Sequence, residues 1–276
     1  VNVTRLLSQA RRILAPQPES RLEAEVLLGH VLGVSRAWLY ANGDQPVEGQ
    51  HSERFLAWAE RRASGEPMAY ITGTREFWSL SLKITPDVLV PRQETELLVE
   101  TALTFIPSGA TWRVADLGTG SGAIALALAH ERPDCVVYAT DTSAPALALA
   151  QENATRLNLS HIRFHRGDWL DGLPGRFQVI VSNPPYISMT DAHMHLGDCR
   201  FEPAVALSPG EDGMSAIRSI VIGARDALEE NGMLILEHGY DQGHESRTLL
   251  RQQGYVAVET IKDLAGHDRV TLGRYG

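Results

Sequence analysis

From residue 113 onward the sequence alternates between short apolar runs and longer helical patterns, and this alternation limits the fold more than any other feature. Runs at 113–117, 135–140, 161–166, 177–182 and 233–238 read as strands. The stretches 122–131, 144–157, 214–230 and 242–253 read as helices. Strands separated by helices join through right-handed crossovers into a mostly parallel sheet covered on both faces. Two more extended runs, 255–261 and 269–274, have no helix between them, so an antiparallel pair is expected there. The expected fold class is α/β: a doubly wound, mostly parallel sheet with an antiparallel terminal strand.

The first 75 residues lack this alternation and read as a small all-helical domain. Val3, Leu6, Leu7, Ala10, Ile13 and Leu14 fall at helical spacing. A second helix opens at Ser20, read as its N-cap, and ends near Gly33. Ser35 fits the cap of a short helix carrying Trp38 and Leu39. A longer helix runs from Gly49 to Ala63 with Phe55, Leu56 and Ala59 inward and Gly65 as its stop. Residues 76–91 change character: Leu80, Leu82 and Ile84 alternate, Thr85-Pro86-Asp87 reads as a turn, and Val88-Leu89-Val90 follows. That pattern predicts a β-hairpin linker. The expected division is therefore 1–75 (helical), 76–91 (hairpin) and 92–276 (α/β), the last opening with a helix over Glu94 to Ile106.

Composition narrows the function classes. With 43% hydrophobic residues the chain holds enough apolar side chains for a sizeable core. No apolar stretch of about 18 residues occurs, so no membrane span is expected. The N-terminal stretch lacks a signal-peptide apolar run, and the expected compartment is the cytoplasm. The net charge of −9 is unevenly placed: residues 1–75 carry nine Arg against eight acidic residues, and the rest carries the acidic excess. A protein that grips long nucleic acid needs a basic face, so a nucleic-acid substrate is not expected. Only Cys135 and Cys199 are present, without a C-x-x-C, so neither a disulfide framework nor a thiolate metal site is expected.

The first chemical motif follows the first parallel strand. Asp116-Leu117-Gly118-Thr119-Gly120-Ser121-Gly122 sits where that strand gives way to a helix, and its glycines allow a tight turn and close approach of a ligand. Asp141, 19 residues after Gly122, ends the next strand, where a carboxylate can accept both ribose hydroxyls. Gly118-x-Gly120-x-x-Ala123 fits a dinucleotide fingerprint and equally the loop of S-adenosylmethionine enzymes. Asp116 favours the second, since a carboxylate suits an ammonium and repels a pyrophosphate. The plain alternative is a tight turn without a ligand. Gly167-Asp168-Trp169 ends the third strand. Trp169 there suits stacking on a purine and Asp168 suits its amino group; the alternative is a core Trp and a helix-capping Asp.

The second motif ends the fourth strand. Val179-Ile180-Val181-Ser182 runs directly into Asn183-Pro184-Pro185-Tyr186. Two prolines remove two backbone donors and leave carbonyls without sheet partners. With the Asn183 side chain they make an array of acceptors for an NH2 group, and Tyr186 supplies a flat wall. An amide nitrogen is a poor nucleophile because its lone pair is delocalised. Two acceptors on its hydrogens can localise charge and aim it at a methyl sulfonium, without a strong general base. The alternative is a proline-rich turn with an Asx-type Asn.

Together these segments resemble the class I (Rossmann-like) S-adenosylmethionine-dependent amino-methyltransferases. Gly73-Thr74-Arg75-Glu76-Phe77-Trp78, Val90-Pro91-Arg92-Gln93-Glu94-Thr95-Glu96 and Arg269-Val270-Thr271-Leu272-Gly273-Arg274-Tyr275 narrow the likeness to the release factor glutamine methyltransferases, over nearly the whole chain. The resemblance implies N5-methylation of the glutamine in the Gly-Gly-Gln tripeptide of class-1 peptide chain release factors, with S-adenosyl-L-homocysteine as by-product. It implies cofactor contacts from Gly118, Thr119, Gly120, Ser121, Gly122, Asp141, Trp169 and Asn183, to which the reading of the residues themselves adds Asp116 and Asp168. It gives Asn183, Pro184, Pro185 and Tyr186 to the substrate amide, with Asn183, Pro184 and Tyr186 catalytic. The helical domain is read separately, as a substrate-recognition element expected to contact the release factor away from the glutamine loop. In one departure Gln93 stands where the family commonly has a second proline, and activity is expected to survive it. Arg92 and Glu94 either line the pocket or cap the helix that follows.

The rival substrates are a ribosomal-protein glutamine and the amines of adenine or cytosine, which an Asn-Pro-Pro-Tyr also serves. A base methyltransferase has to flip its base and track phosphates, which the acidic balance disfavours. A nicotinamide-dependent oxidoreductase leaves Asn183 to Tyr186 without a task, and an adaptor leaves both motifs idle. Asp191, His193, His195, Asp198 and Cys199 crowd one loop, but their spacing is a weak metal signal and no metal is expected. Glu237-His238-Gly239 reads as a structural strand end.

Overall fold

A computed structural model describes residues 1–15, 17–191, 197–208, 210 and 212–276. The chain divides into two compact units, Val1–Thr74 and Arg75–Gly276.

In the first unit the apolar spacing becomes α1 (Val3–Ile13), α2 (Ser20–Leu32), α3 (Arg36–Ala41) and α4 (Gly49–Ala63). A short α5 (Met68–Thr72), not foreseen from the sequence, follows. Asn2 caps α1 by accepting from the Arg5 amide at 2.9 Å, and Ser35 caps α3 by accepting from the Trp38 amide at 3.2 Å. Each such cap contributes about 1 kcal/mol. Ser20 is a correction: it is the first residue of α2, and Glu19 stands at the cap without a side-chain bond. Leu6, Leu14, Leu27, Leu28 and Phe55 form the centre of the core. Glu25, on the inner side of α2, is only 1% exposed. Its carboxylate takes hydrogen bonds from Arg11, Arg21, Arg36 and the Tyr40 hydroxyl. Burial alone would raise its pKa; the Tyr40, Arg36 and Arg21 bonds outweigh that and bring it to about 2.

The second unit opens with a two-stranded hairpin, β1 (Thr74–Phe77) and β2 (Leu80–Lys83). Its position corrects the expectation. The chain reverses at Trp78-Ser79, both left-handed (φ 51° and 59°), and Val88 to Val90 forms no strand. Two consecutive left-handed residues make the tight hairpin turn usually signalled by Asn-Gly, so the sequence gives no warning. Trp78 is held there from outside the turn. Its amide donates to Glu96 and its indole N–H to Glu131, each at 2.8 Å. Thr85-Pro86-Asp87 does turn the chain, but into an extended segment. A 3-10 turn (Gln93–Thr95) leads into α6 (Glu96–Phe105).

Beyond it lie β3 (Arg113–Leu117), α7 (Ala123–Glu131), β4 (Val136–Asp141), α8 (Ala144–Arg156), β5 (Arg163–Arg166) and β6 (Phe177–Ser182). After a 3-10 turn (Gly197–Phe201) come α9 (Ala204–Leu207), α10 (Ser215–Ala227), β7 (Leu228–Glu237), α11 (Gly243–Gln252), β8 (Tyr255–Lys262) and β9 (Asp268–Tyr275). Strand β7 starts earlier than expected because α10 stops at Ala227; Leu228 pairs with Phe177 and Met233 with Val179, and the residues between bulge out of the ladder. The seven strands order as β5-β4-β3-β6-β7-β9-β8. The β3–β4, β4–β5, β3–β6 and β6–β7 pairs are parallel, and β9 runs antiparallel to both its neighbours. The expected doubly wound sheet is borne out, with the antiparallel strand inserted before β8.

Strand order reverses between β3 and β6, which makes the crevice beyond their carboxyl ends the natural ligand site. The register Leu117↔Ser182 brings the ends of both motif-bearing strands to that point. The core beneath is apolar, built around Leu117, Phe177, Ile180, Ile217, Ile220 and Leu234. Asn153, buried on α8, fastens the hairpin to the crevice: it accepts from the Lys83 amide at 2.7 Å and donates to the carbonyls of Lys83 and Ser121, each at 3.0 Å. Among the described residues no helix is long and apolar enough to cross a membrane.

Candidate active site

The glycine loop leaves β3 in three left-handed steps, Gly118 (φ 72°), Gly120 (φ 54°) and Gly122 (φ 88°). Side chains are excluded at the first and third by more than the dihedral. A Cβ on Gly118 would meet the Trp169 ring at 3.3 Å, and one on Gly122 would meet Ala150 at 3.1 Å, where α7 starts against α8. Gly122 therefore serves helix packing.

Asp116 lies under the loop, fully buried. Its Oδ2 accepts from the Thr119 hydroxyl at 2.6 Å and from the Ala125 amide at 3.1 Å, while Oδ1 is buried without a partner. Burial pushes its pKa up to about 7, against the pull of those two bonds. Asp141 holds the loop from the next strand: its Oδ2 accepts from the Gly120 amide and its Oδ1 from the Ser143 amide, each at 2.9 Å. Each of its oxygens retains acceptor capacity.

These groups border a cavity of about 570 Å³. Of the residues expected to hold a cofactor, Gly118, Gly120, Asp141, Asp168, Trp169 and Asn183 line it. Asp116, Thr119, Ser121 and Gly122 do not; they build the loop from behind. Trp169 lines the cavity and also packs on the core. Its backbone is left-handed (φ 49°), and its carbonyl accepts from the Thr140 hydroxyl at 2.8 Å. No helix follows Asp168, so the capping alternative falls away. Sequence reasoning missed Thr142, Ser143, Ser208, Ser215 and Ser219 on the wall. Isolated serines carry no signal until the fold gathers them.

A second cavity, of about 70 Å³, is lined by Pro184 and Tyr186 together with Leu89, Arg92, Cys199 and Leu207. Asn183 and Pro185 border both cavities. The Asn183 amide donates from Nδ2 to the Thr95 hydroxyl at 3.1 Å. With Nδ2 so engaged, Oδ1 is the end of the side chain left to accept. Tyr186 donates its hydroxyl to Glu237 Oε1 at 3.2 Å, and burial raises its pKa. Arg92 pairs with the buried Glu202, whose other oxygen accepts from the Val90 amide at 3.0 Å. Of the two roles left open for it, Arg92 lines the smaller cavity; it stands at the cap of the 3-10 turn without a side-chain capping bond and instead ties 88–92 to the segment around Glu202. His193 and His195 lie outside the described residues; among those described no cluster of three metal-ligating side chains occurs.

A glycine loop and a carboxylate on one side of a shared wall, with an acceptor array on the other, describe a group-transfer site. Residues 93–262 match the methyltransferase small domain family, and residues 5–73 match the PrmC N-terminal domain family. Fold, site and family together define a methyltransferase of the doubly wound α/β class carrying a helical N-terminal unit. The release factor glutamine methyltransferase of Xylella fastidiosa (strain 9a5c) is 52% identical over 255 residues, 92% of this chain and 93% of that one. That of Escherichia coli (strain K12) is 46% identical over 270 residues, 98% of this chain and 97% of that one. A solved 16S rRNA N2 G1207 methyltransferase from T. thermophilus, in complex with AdoMet and guanosine, aligns with a TM-score of 0.55 at 19% identity. That alignment covers 74% of this chain and 50% of that one and is a likeness of fold alone. The chain belongs to the release factor glutamine methyltransferase family.

Proposed function

We propose that this enzyme transfers a methyl group from S-adenosylmethionine to the side-chain amide nitrogen of the glutamine in the Gly-Gly-Gln tripeptide of class-1 peptide chain release factors. The observation that carries the reading is the wall shared by the two cavities, with Asn183 and Pro185 on both sides. A donor in the larger cavity and an amide in the smaller one would meet across it.

The residues fit the cofactor. Asp141 would take the ribose hydroxyls, and Trp169 would lie along the purine with Asp168 beside its amino group. The glycine loop would admit the amino-acid end close to the backbone. Asp116 lies behind the loop and off the cavity, so its part is to support, through Thr119 and Ala125, the loop that would receive that end. When bound, S-adenosylmethionine supplies an electrophilic methyl on a sulfonium.

The chain's own residues do the rest. Asn183 Oδ1 and the Pro184 carbonyl accept the two amide hydrogens, which localises charge on nitrogen and orients its lone pair. Tyr186 presses on the planar amide and keeps water out of the smaller cavity. The nitrogen becomes acidic only after it has gained the methyl, so a general base is not required. The helical unit Val1–Thr74 is proposed to bind the release factor away from the tripeptide. Such a substrate works at the ribosome, which supports a cytoplasmic location.

The test is transfer of radiolabel from S-adenosylmethionine to purified release factor, with a Gln→Ala version of its Gly-Gly-Gln and duplex DNA alongside. Label on the wild-type factor alone is expected. Label on DNA, or on the Gln→Ala factor at an equal level, would overturn the reading. For the helical unit, removal of residues 1–74 should raise KM for the factor and spare cofactor affinity. Unchanged turnover would sink that role.

A further inference from the structure

We infer that Gln242 is a positioning residue for methyl transfer: from the start of α11 its side-chain amide holds the Tyr186 carbonyl and so sets the wall against which the substrate amide lies. The inference rests on the methyl-transfer reading above and adds a residue to it.

Tyr186 closes the Asn-Pro-Pro-Tyr motif and lines the smaller cavity together with Ile187 and Leu207. The peptide that joins Tyr186 to Ile187 is held at both its polar atoms. Its N–H donates to the Leu207 carbonyl at 3.0 Å, and its carbonyl accepts from Gln242 Nε2 at 3.0 Å. Nε2 also donates to the Gly213 carbonyl at 3.4 Å, while Oε1 accepts from the Gly239 amide at 2.9 Å. One side chain thus joins three segments: the motif after β6, the turn before α10 and the turn after β7. Two glycines make room for it. A Cβ on Gly213 would stand 2.8 Å from the Tyr186 carbonyl oxygen and 2.9 Å from Gln242 Nε2, and one on Gly239 would stand 3.1 Å from Gln242 Oε1. Gly213 is also left-handed (φ 68°). The other end of Tyr186 is held as well, by its hydroxyl on Glu237 Oε1 at 3.2 Å.

The logic is one of donors and acceptors. The Gly239 amide needs an acceptor, and the two carbonyls need a donor; a single side-chain amide supplies both. A carboxylate of the same shape keeps the first contact and sets an oxygen against the two carbonyls. The motif itself has few free torsions, because two of its four residues are prolines with fixed φ. Its direction therefore follows from how its ends are held. Ser182 holds the first end by donating its hydroxyl to the Leu117 carbonyl at 2.7 Å, and Gln242 holds the second. Without Gln242 the peptide after Tyr186 can turn, and the ring and the Pro184 carbonyl move with it. Aim matters most in the transition state, so turnover should suffer more than affinity.

The experiment compares wild type, Gln242→Glu and Gln242→Met in the full chain, each first checked for a wild-type circular dichroism spectrum. Gln242→Glu loses the bond to Tyr186 and keeps the acceptor for Gly239; Gln242→Met loses both. Both variants should turn over release factor roughly 10–100-fold more slowly, with KM for the factor within about threefold and cofactor affinity within about twofold. A loss in Gln242→Met alone would assign the effect to the Gly239 contact and overturn the inference. Wild-type kcat in both, with a lowered melting temperature, would mark a structural role only and also overturn it. So would a fall in cofactor affinity as large as the fall in kcat. The 15N signal of the Ile187 amide gives an arm that needs no substrate, because it senses the hydrogen bond on the carbonyl before it. It should move in both variants; an unmoved signal overturns the inference. If wild type itself fails to label the factor, the proposed function falls while this signal still decides whether Gln242 holds Tyr186.

Discussion

The guanidinium of Arg92 lies against the carboxylate of Glu202, 110 residues away in sequence, and the carboxylate also takes the Val90 amide. Glu202 is 6% exposed, and burial raises its pKa in spite of the cation. The pair ties the segment before α6 to the one carrying Cys199, Ala206 and Leu207, three residues on the smaller cavity. Arg92→Ala should leave a buried carboxylate without its cation and cost about 2–4 kcal/mol. It should raise KM for the release factor by roughly tenfold and leave cofactor affinity alone. Urea unfolding together with KM measurements checks both; an unchanged KM would leave the pair a purely structural clasp.

Asn183→Ala removes the acceptor on the shared wall. Cofactor binding should stay within a few-fold, and methyl transfer should fall by roughly 10²-fold or more, as loss of a transition-state contact does. Calorimetry and single-turnover kinetics separate the two. Near-wild-type turnover would count against the acceptor array.

Asp116 predicts a pH effect on stability. Its carboxyl is raised from the ordinary 3.8 to about 7, so the folded chain holds a proton that the unfolded chain has already released. The stabilisation is fully present below about pH 4 and is lost as pH rises through about 7. On the order of 2–4 kcal/mol is at stake. His238, kept neutral by burial, works the other way below its ordinary 6.5, so the comparison is made against Asp116→Asn at each pH. Wild type should gain on the variant between pH 8 and 5 in urea midpoints. A constant difference would argue that Asp116 stays ionised.

The helical unit titrates in a different window. Glu25 is depressed from 4.5 to about 2, so its contribution is present above about pH 4.5 and disappears as pH falls toward 2. Glu25→Gln should destabilise this unit by about 1–2 kcal/mol at pH 7, because the arginines around it are 39–66% exposed and can rehydrate. The difference from wild type should vanish by pH 2. Amide exchange of α2 across that range reads it directly.

The centre of the sheet was legible because β3, β4, β6 and the second half of β7 are short apolar runs closed by a glycine or polar residue at the carboxyl end. Both motifs were legible for the same reason: their chemistry is local, and strand order alone brings Gly118 and Asn183 to one crevice. What escaped the sequence depends on distant partners. Glu237 meets Tyr186 from 51 positions away and Val90 meets Glu202 from 112. Asn153 reaches Lys83 across 70. A Glu in Leu-Glu-His or an Asn inside a helix looks the same with or without such a partner. The Trp78-Ser79 turn escaped for the same reason: neither residue prefers a left-handed backbone, and Trp78 is held there by Glu96 and Glu131, 18 and 53 positions away.

Strand β9 sits between β7 and β8, although the chain makes β8 first. During synthesis β7 is therefore complete at Glu237 while its outer edge waits for residues from Asp268 onward. Throughout that interval β8 has nothing to pair with either, because β9 is its neighbour in the sheet. An apolar strand with a bare edge invites another chain to fill it. The nascent enzyme is thus most prone to mispairing while α11 and β8 emerge. Arrival of β9 closes the sheet and delivers Arg269 and Thr271 to Glu237 and His238 in the same event.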